Sequence, residues 1–161
     1  MEALAWIEQT RLSLFVREDF YAYFVLLIGH AWGMALLVGG GLAVAARVLG
    51  VASGTRLDRW AGVFTVMKVG AVLAAVSGLG LLAGYPAKAL TNPIFAVKFA
   101  CLIGAVWLGL RAFRLAAAGA SVPGRAKVLA AAAIALWIGG VAGGKLLLYT
   151  NSVLLTSDLA A

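Results

Sequence analysis

The chain has 161 residues, of which 64% are hydrophobic and only 12% are charged, and its formal net charge is +7. This composition lies outside the range of soluble domains and indicates a membrane protein with a single domain. The positive charges fall in short stretches between apolar runs, as in membrane-protein loops, so nucleic-acid binding is not expected. The single cysteine, Cys101, excludes an internal disulfide and any paired-cysteine motif.

The first segment, residues 1–19, mixes apolar and charged side chains. This pattern predicts an amphipathic helix that lies along the membrane interface. Acidic residues occupy the place of a basic n-region, so no signal peptide is expected and the first apolar run should act as the insertion signal. Asp19 is expected to cap the helix that follows.

Four apolar runs are each long enough to cross about 30 Å of hydrocarbon as a helix. They cover residues 20–46, 60–85, 94–113 and 128–149. Asn92 followed by Pro93 is a typical helix start for the third run. Gly-xxx-Gly pairs in the first, second and fourth runs predict close helix packing. We therefore predict an all-α protein, an integral membrane four-helix bundle preceded by the interfacial helix.

Arginine and lysine are concentrated in the connections between the first and second and between the third and fourth runs. These residues are Arg47, Arg56, Arg59, Arg111, Arg114, Arg125 and Lys127. The other side of the bundle carries fewer basic residues, mixed with acidic ones. The positive-inside rule therefore predicts that the basic connections are cytoplasmic and that both termini are extracytoplasmic.

The ionisable residues inside the runs are candidates for function, because such groups are rare in hydrocarbon. His30 is the only histidine and lies in the first run. Lys98 and Lys145 are expected in the same outer half, on the third and fourth runs, whereas Lys68 belongs to the cytoplasmic half of the second. Lysines near the end of a span can extend the amine to the interface, but Lys98 could instead face a ligand opposite His30.

Three roles for His30 stay open from the residues alone. The first is a neutral imidazole that is hydrogen-bonded between helices, in a cofactor-free accessory subunit of a larger membrane complex. The second is a copper site in which Met34 and Cys101 supply soft ligands. The third is haem, for which His30 is one conventional axial ligand. The spans contain no Asp or Glu, which argues against a proton relay.

A haem site needs a second axial ligand and space for a flat macrocycle. The second ligand would be Met34, Met67, a lysine or His30 of another copy, since a neutral lysine amine can bind iron. Glycine has only a hydrogen atom as its side chain and therefore leaves space between helices. The candidates are Gly33, Gly40 and Gly78.

Several of these residues form a pattern along the first three runs. It consists of His30, Gly40 and Arg47, then Ser77-Gly78, then Asn92-Pro93-Ile94-Phe95-x-x-Lys98. This pattern resembles the four-helix bacterial membrane superfamily of HemJ-type protoporphyrinogen oxidases and CopD-type copper-resistance proteins, and in particular one of its uncharacterised branches. The resemblance implies a multi-pass protein of the bacterial inner membrane.

In the HemJ type, the first-span histidine and the third-span lysine are associated with haem b. Carried over, these roles fall on His30 and Lys98. Two further histidines of that type are missing here, because Arg47 is followed by Val48-Leu49-Gly50 and the third run reads Ala105-Val106-Trp107-Leu108. Porphyrinogen oxidation is therefore not expected. The resemblance implies membrane electron transfer, with a membrane redox complex or a second copy of the chain as partner.

Overall fold

The computed structural model describes residues 2–51, 54, 57–119 and 121–149. Within these ranges the regular structure is entirely helical. The helices are α1 (Glu2–Glu8), α2 (Arg11–Glu18), α3 (Phe20–Leu49), α4 (Ala61–Gly84), α5 (Pro86–Leu90), α6 (Pro93–Ala117) and α7 (Gly124–Tyr149), and a 3₁₀ turn, Leu57–Trp60, precedes α4.

Four of these helices are long and apolar enough to cross a membrane. The candidate spans are Phe20–Leu49, Gly62–Gly84, Pro93–Ala117 and Gly124–Leu147. Large apolar side chains cover their outer surfaces, among them Val76, Ile103 and Ile138. In water such a surface would be strongly unfavourable, whereas lipid tails match it. The predicted all-α, multi-pass membrane architecture is confirmed at this level.

The helices continue beyond the predicted runs at the end that carries the basic connections. α3 ends at Leu49 instead of residue 46, α6 ends at Ala117 instead of residue 113, and α7 begins at Gly124 instead of residue 128. Basic residues mark where hydrocarbon gives way to headgroups, and a helix can extend past that boundary. α3 stops only at Gly50, whose φ of 108° is in the left-handed region that glycine adopts readily.

Side-chain caps fix the starts of two of the long helices, as the sequence predicts. Asp19 Oδ1 accepts a hydrogen bond from the backbone N–H of Ala22 at 2.7 Å. Asn92 Oδ1 accepts one from the N–H of Ile94 at 3.0 Å, and Pro93 occupies the first helical position. Each cap satisfies a backbone N–H that has no partner within the helix.

The N-terminal segment forms two short helices instead of one. The break falls at Gln9 and Thr10, and the Thr10 hydroxyl accepts a hydrogen bond from the N–H of Ser13 to start α2. α2 packs against the end of α4, where the Ser13 hydroxyl donates to the Gly84 carbonyl at 3.3 Å. Large apolar side chains remain exposed on the outer surface of α1 and α2, namely Trp6, Leu12 and Phe15. The position of this pair at a membrane interface stays a prediction.

The long helices pack as two antiparallel pairs, α3 with α4 and α6 with α7, and α3 joins the pairs by contacting both α6 and α7. Glycine allows the closest approaches: a Cβ on Gly33 would lie 2.4 Å from the backbone nitrogen of Ala74, and one on Gly140 would lie 2.6 Å from Leu102. The predicted role of glycine in helix packing is confirmed at these positions.

The core contains two clusters of buried side chains. Trp137, which is 1% exposed, lies in the central cluster with residues of all four long helices. The second cluster consists mainly of alanines from α3, α6 and α7 and lies toward the basic connections. α3 begins and α7 ends at the opposite end of the bundle, where α2 contacts Gly84. Which side of the membrane this end faces stays a prediction.

Candidate functional site

His30 lies in α3, about ten residues after the start of that helix, and its ring contacts α4. Its Nδ1 atom is 3.0 Å from the carbonyl oxygen of Ala74 and 3.4 Å from the hydroxyl oxygen of Ser77. The Ser77 hydroxyl itself donates to the Leu73 carbonyl at 2.6 Å, as serine often does within a helix. The ring is therefore held by the backbone and one side chain of the neighbouring helix.

These hydrogen bonds determine which ring nitrogen carries the proton. A carbonyl oxygen can only accept, so Nδ1 must be the protonated nitrogen that donates to Ala74. Within the described part of the chain, both hydrogen bonds of the His30 ring use Nδ1. In the neutral ring, Nε2 then carries the lone pair. A backbone carbonyl on one nitrogen is the usual arrangement behind a histidine that coordinates metal through the other.

Gly78 provides the surface on which the imidazole rests. A Cβ at this position would lie 3.1 Å from Cε1 and 3.2 Å from Nδ1 of His30. These distances are shorter than ordinary van der Waals contact, so a larger residue would displace the ring. The Ser77-Gly78 pair, which the sequence pattern singled out, thus contacts His30 directly.

Lys98 lies in α6, where its side chain follows α7. Its Cβ is 3.5 Å from the position that a Gly143 Cβ would take, and its Nζ is 3.6 Å from the corresponding position at Gly144. Nζ is also 6.0 Å from the centroid of the Phe99 ring, at the limit of a cation–π contact. The side chain is half-buried, in contrast to the exposed Lys68 and Lys145.

The structure brings His30 and Lys98 into the same half of the bundle. His30 lies ten residues after the start of α3 and Lys98 five residues after the start of α6, and both helices begin at the same end of the bundle. Their packing surfaces differ, because His30 rests on α4 and Lys98 rests on α7. The backbones of α4 and α6 come close to each other at few positions among the described helices. The two candidate ligands therefore belong to the separate helix pairs that α3 joins.

The other predicted ligand and cofactor residues serve packing contacts. Met34 packs against the central core, and the Cys101 sulfur is 3.4 Å from the position that a Gly139 Cβ would take. Gly33 lies against the α4 backbone, and Gly40 lies against Met67. His30, Met34 and Cys101 thus contact different neighbours.

Two hollows lie elsewhere in the bundle. One is a small space beside Trp137 between the two helix pairs, and the other is an open apolar groove of about 340 Å³ between α3 and α7. His30 and Lys98 line neither of them. The described residues also contain no group of three or more His, Cys, Asp or Glu that could bind a metal ion together. Any metal held at His30 would need a ligand of another kind, such as the Lys98 amine.

Sequence reasoning did not find the backbone groups that complete the site. The Ala74 carbonyl fixes the His30 tautomer, and Gly143 and Gly144 provide the surface for Lys98. The glycine pair was visible only as a packing motif, and a backbone carbonyl leaves no signal in the residue types.

No family model, no curated protein and no solved structure matches this chain.

Proposed function

We propose that this multi-pass membrane protein binds haem b between α3 and α6 and serves in membrane electron transfer. His30 Nε2 and the Lys98 amine would hold its iron. The observation that carries the proposal is the hydrogen bond from His30 Nδ1 to the Ala74 carbonyl, because it leaves Nε2 with a lone pair and a fixed ring orientation.

The donor set is compatible with a haem. Haem needs one or two axial ligands from the protein, and histidine is the commonest of them. The four spans contain no carboxylate, so an ammonium on Lys98 has no acidic partner there, whereas an iron centre would bind the neutral amine.

The protein's own part in this function is to bind and orient. Ala74 and Ser77 hold the imidazole, and Gly78 leaves room for its ring. Haem, when bound, supplies one-electron chemistry. One electron partner is a membrane quinone or a partner subunit, and the other is an extracytoplasmic redox protein. The resemblance to the HemJ and CopD superfamily, and the bacterial inner membrane that it implies, belong to the same proposal.

An absorption spectrum of the purified full-length protein tests the proposal. We expect a Soret band that His30→Ala abolishes and that Lys98→Met shifts or weakens. Lys68→Met and Cys101→Ser are matched controls, because Lys68 is exposed in the other half of the bundle and the Cys101 sulfur lies against Gly139 of α7. A Soret band that persists in His30→Ala, or protein supplied with haem during expression that shows no band, would reject haem binding.

A cofactor-free accessory subunit is the second candidate, and one observation favours it. Four small residues at four-residue spacing lie exposed on the lipid side of α3, namely Ala31, Ala35, Gly39 and Ala43. Such a row is typical of surfaces where another transmembrane helix packs. A protein without a Soret band that co-purifies with a membrane complex would support this function. Bound copper that is lost in Met34→Leu and Cys101→Ser would instead indicate the copper-handling alternative.

A further inference from the structure

Four exposed basic residues lie at the end of the bundle where α6 meets α7. We call this end the basic corner; it comprises Arg111, Arg114, Arg125 and Lys127. Buried alanines of both helices, including Ala112 and Ala126, pack together in one cluster beneath it. The neighbours of those alanines along the chain are therefore held at the same end of the bundle.

The basic corner has no acidic partner in its own helices. Residues 93–149, which include all of α6 and α7, contain no Asp or Glu. Among the residues that the structure describes, none of the four basic side chains makes an ion pair. Arg111 and Arg114 are neighbours at three-residue spacing on α6 and repel each other, so a bound anion would stabilise the arrangement.

Arg111 is held in place by an aromatic ring. Its Cζ atom lies 4.2 Å from the centroid of the Trp107 ring, and Trp107 is 53% exposed. Stacking on the ring leaves the guanidinium edge free to donate two parallel hydrogen bonds to a phosphate or carboxylate. Arg114 lies three residues further along the same helix and is also exposed.

The position of this pair along α6 matches the edge of a bilayer. At 1.5 Å per residue, Trp107 lies about 21 Å and Arg111 about 27 Å from Pro93, compared with about 30 Å for a hydrocarbon core. Toward the membrane centre, the same side of the helix exposes Ile103 and Phe99. The surface thus presents charge at headgroup depth and apolar side chains at the depth of an acyl chain.

We propose that the basic corner binds the headgroup of an anionic phospholipid, with Arg111 and Arg114 on the phosphate and an acyl chain along Trp107 and Ile103. A phosphatidylglycerol headgroup carries a net negative charge, whereas the choline of phosphatidylcholine brings a positive charge toward the arginines. Free phosphate has the charge but no chain for the apolar part of the surface. This site is separate from His30 and Lys98 and does not depend on a cofactor.

Native mass spectrometry of the full-length protein in neutral detergent measures lipid affinity directly. The probes are phosphatidylglycerol and phosphatidylcholine with identical acyl chains. We expect phosphatidylglycerol to bind more tightly, and Arg111→Gln with Arg114→Gln to weaken it by at least about tenfold. The matched control, Arg11→Gln with Lys145→Gln, removes the same charge from exposed residues at the opposite end and should leave the affinity within about twofold.

Two further measurements distinguish a specific lipid-binding site from nonspecific electrostatic attraction between basic residues and anionic lipid. Arg111→Lys keeps the charge but loses the planar guanidinium, so it should weaken phosphatidylglycerol binding several-fold. Inorganic phosphate in large excess should not displace the lipid. The proposal is overturned if the two lipids bind equally, if the control pair loses as much affinity as the corner pair, if Arg111→Lys changes nothing, or if phosphate competes.

Discussion

His30 and the carbonyl oxygen of Ala74 form a hydrogen bond of 3.0 Å between the first two membrane-spanning helices. The Ala74 oxygen is already part of the α4 helix, and it can accept a second hydrogen bond because a carbonyl has two lone pairs. The contact is therefore obtained without breaking the helix. It also fixes the imidazole as the Nδ1–H tautomer, and this leads to the first prediction.

Nitrogen NMR of protein labelled with ¹⁵N-histidine should show a protonated Nδ1 and an unprotonated Nε2. The assignment is unambiguous because the chain contains one histidine. If a metal or haem iron binds, the Nε2 signal should shift or broaden more than the Nδ1 signal, since Nδ1 stays protonated and hydrogen-bonded to the carbonyl. Signals typical of a protonated Nε2 in the cofactor-free protein would show that the hydrogen bond to Ala74 is not formed.

The free energy of unfolding separates a structural histidine from a ligand. His30→Leu removes the hydrogen bond but keeps a side chain of similar size, and interhelical hydrogen bonds in membranes contribute about 0.6 kcal/mol on average and at most about 1.7. We therefore expect a loss in this range in cofactor-free protein, measured by steric trapping or denaturant unfolding. Ser77→Ala should cost less, because the Ser77 oxygen is only a distant second acceptor at 3.4 Å.

If His30 served only to join α3 and α4, this modest loss would be the whole effect of His30→Leu. A ligand role predicts in addition that protein purified with cofactor loses far more stability than the cofactor-free protein on the same substitution. Equal losses in both preparations would assign His30 to packing alone.

Alanine substitutions at two glycines of α3 should change the free energy of unfolding in opposite directions. A Cβ on Gly33 would lie 2.4 Å from the Ala74 nitrogen and 2.8 Å from the Gly70 oxygen, which are backbone atoms that can move only if α4 moves. Gly33→Ala should therefore destabilise the protein by about 3 kcal/mol or more. A Cβ on Gly39 meets no atom within 4 Å, so Gly39→Ala should change the free energy of unfolding by less than about 1 kcal/mol and toward greater stability.

Thermal unfolding of the two variants in the same detergent provides the comparison. A large loss in Gly39→Ala would indicate that its exposed side is packed against another chain. A small loss in Gly33→Ala would mean that α3 and α4 separate easily, and the close packing around His30 would then need revision.

The sequence predicts the spans and the caps because their signals are local. A run of apolar residues, Asp19 before it, or Asn92 with Pro93 is read directly from neighbouring residues, and the structure agrees at each of these helix starts. At the end with the basic connections, α3, α6 and α7 extend three or four residues beyond the predicted apolar runs. Charge marks the limit of the hydrocarbon, whereas helix length depends on backbone hydrogen bonds that continue into the headgroup region.

The partners of His30 and Lys98 could not be predicted in the same way. Counting residues along each helix gives the depth of a side chain, and the helix bounds in the structure also place both in one half of the bundle. Rotation about the helix axis decides which neighbour the side chain meets, and that rotation is set by contacts such as Gly33 with Ala74. The division of the N-terminal segment into two helices was also missed, because it depends on the packing of α2 against Gly84.

The attachment of α2 to the bundle gives the last prediction. Ser13 is fully buried and its hydroxyl donates to the Gly84 carbonyl, and the neighbouring Val16 is 3% exposed. Ser13→Ala removes this hydrogen bond with little change in volume, at a cost of about 1 kcal/mol. Because α2 is short and lies at one end, the loss should appear as local opening instead of global unfolding. Amide hydrogen exchange in α2 should then become about fivefold faster, while exchange in α6 and α7 stays unchanged.

Gln9→Ala, at the exposed junction between α1 and α2, is the matched control and should leave α2 exchange as it is. Faster exchange throughout the four long helices would show that α2 is an integral part of the bundle core, and unchanged exchange in α2 would show that Val16 and its neighbours hold the helix without the hydroxyl.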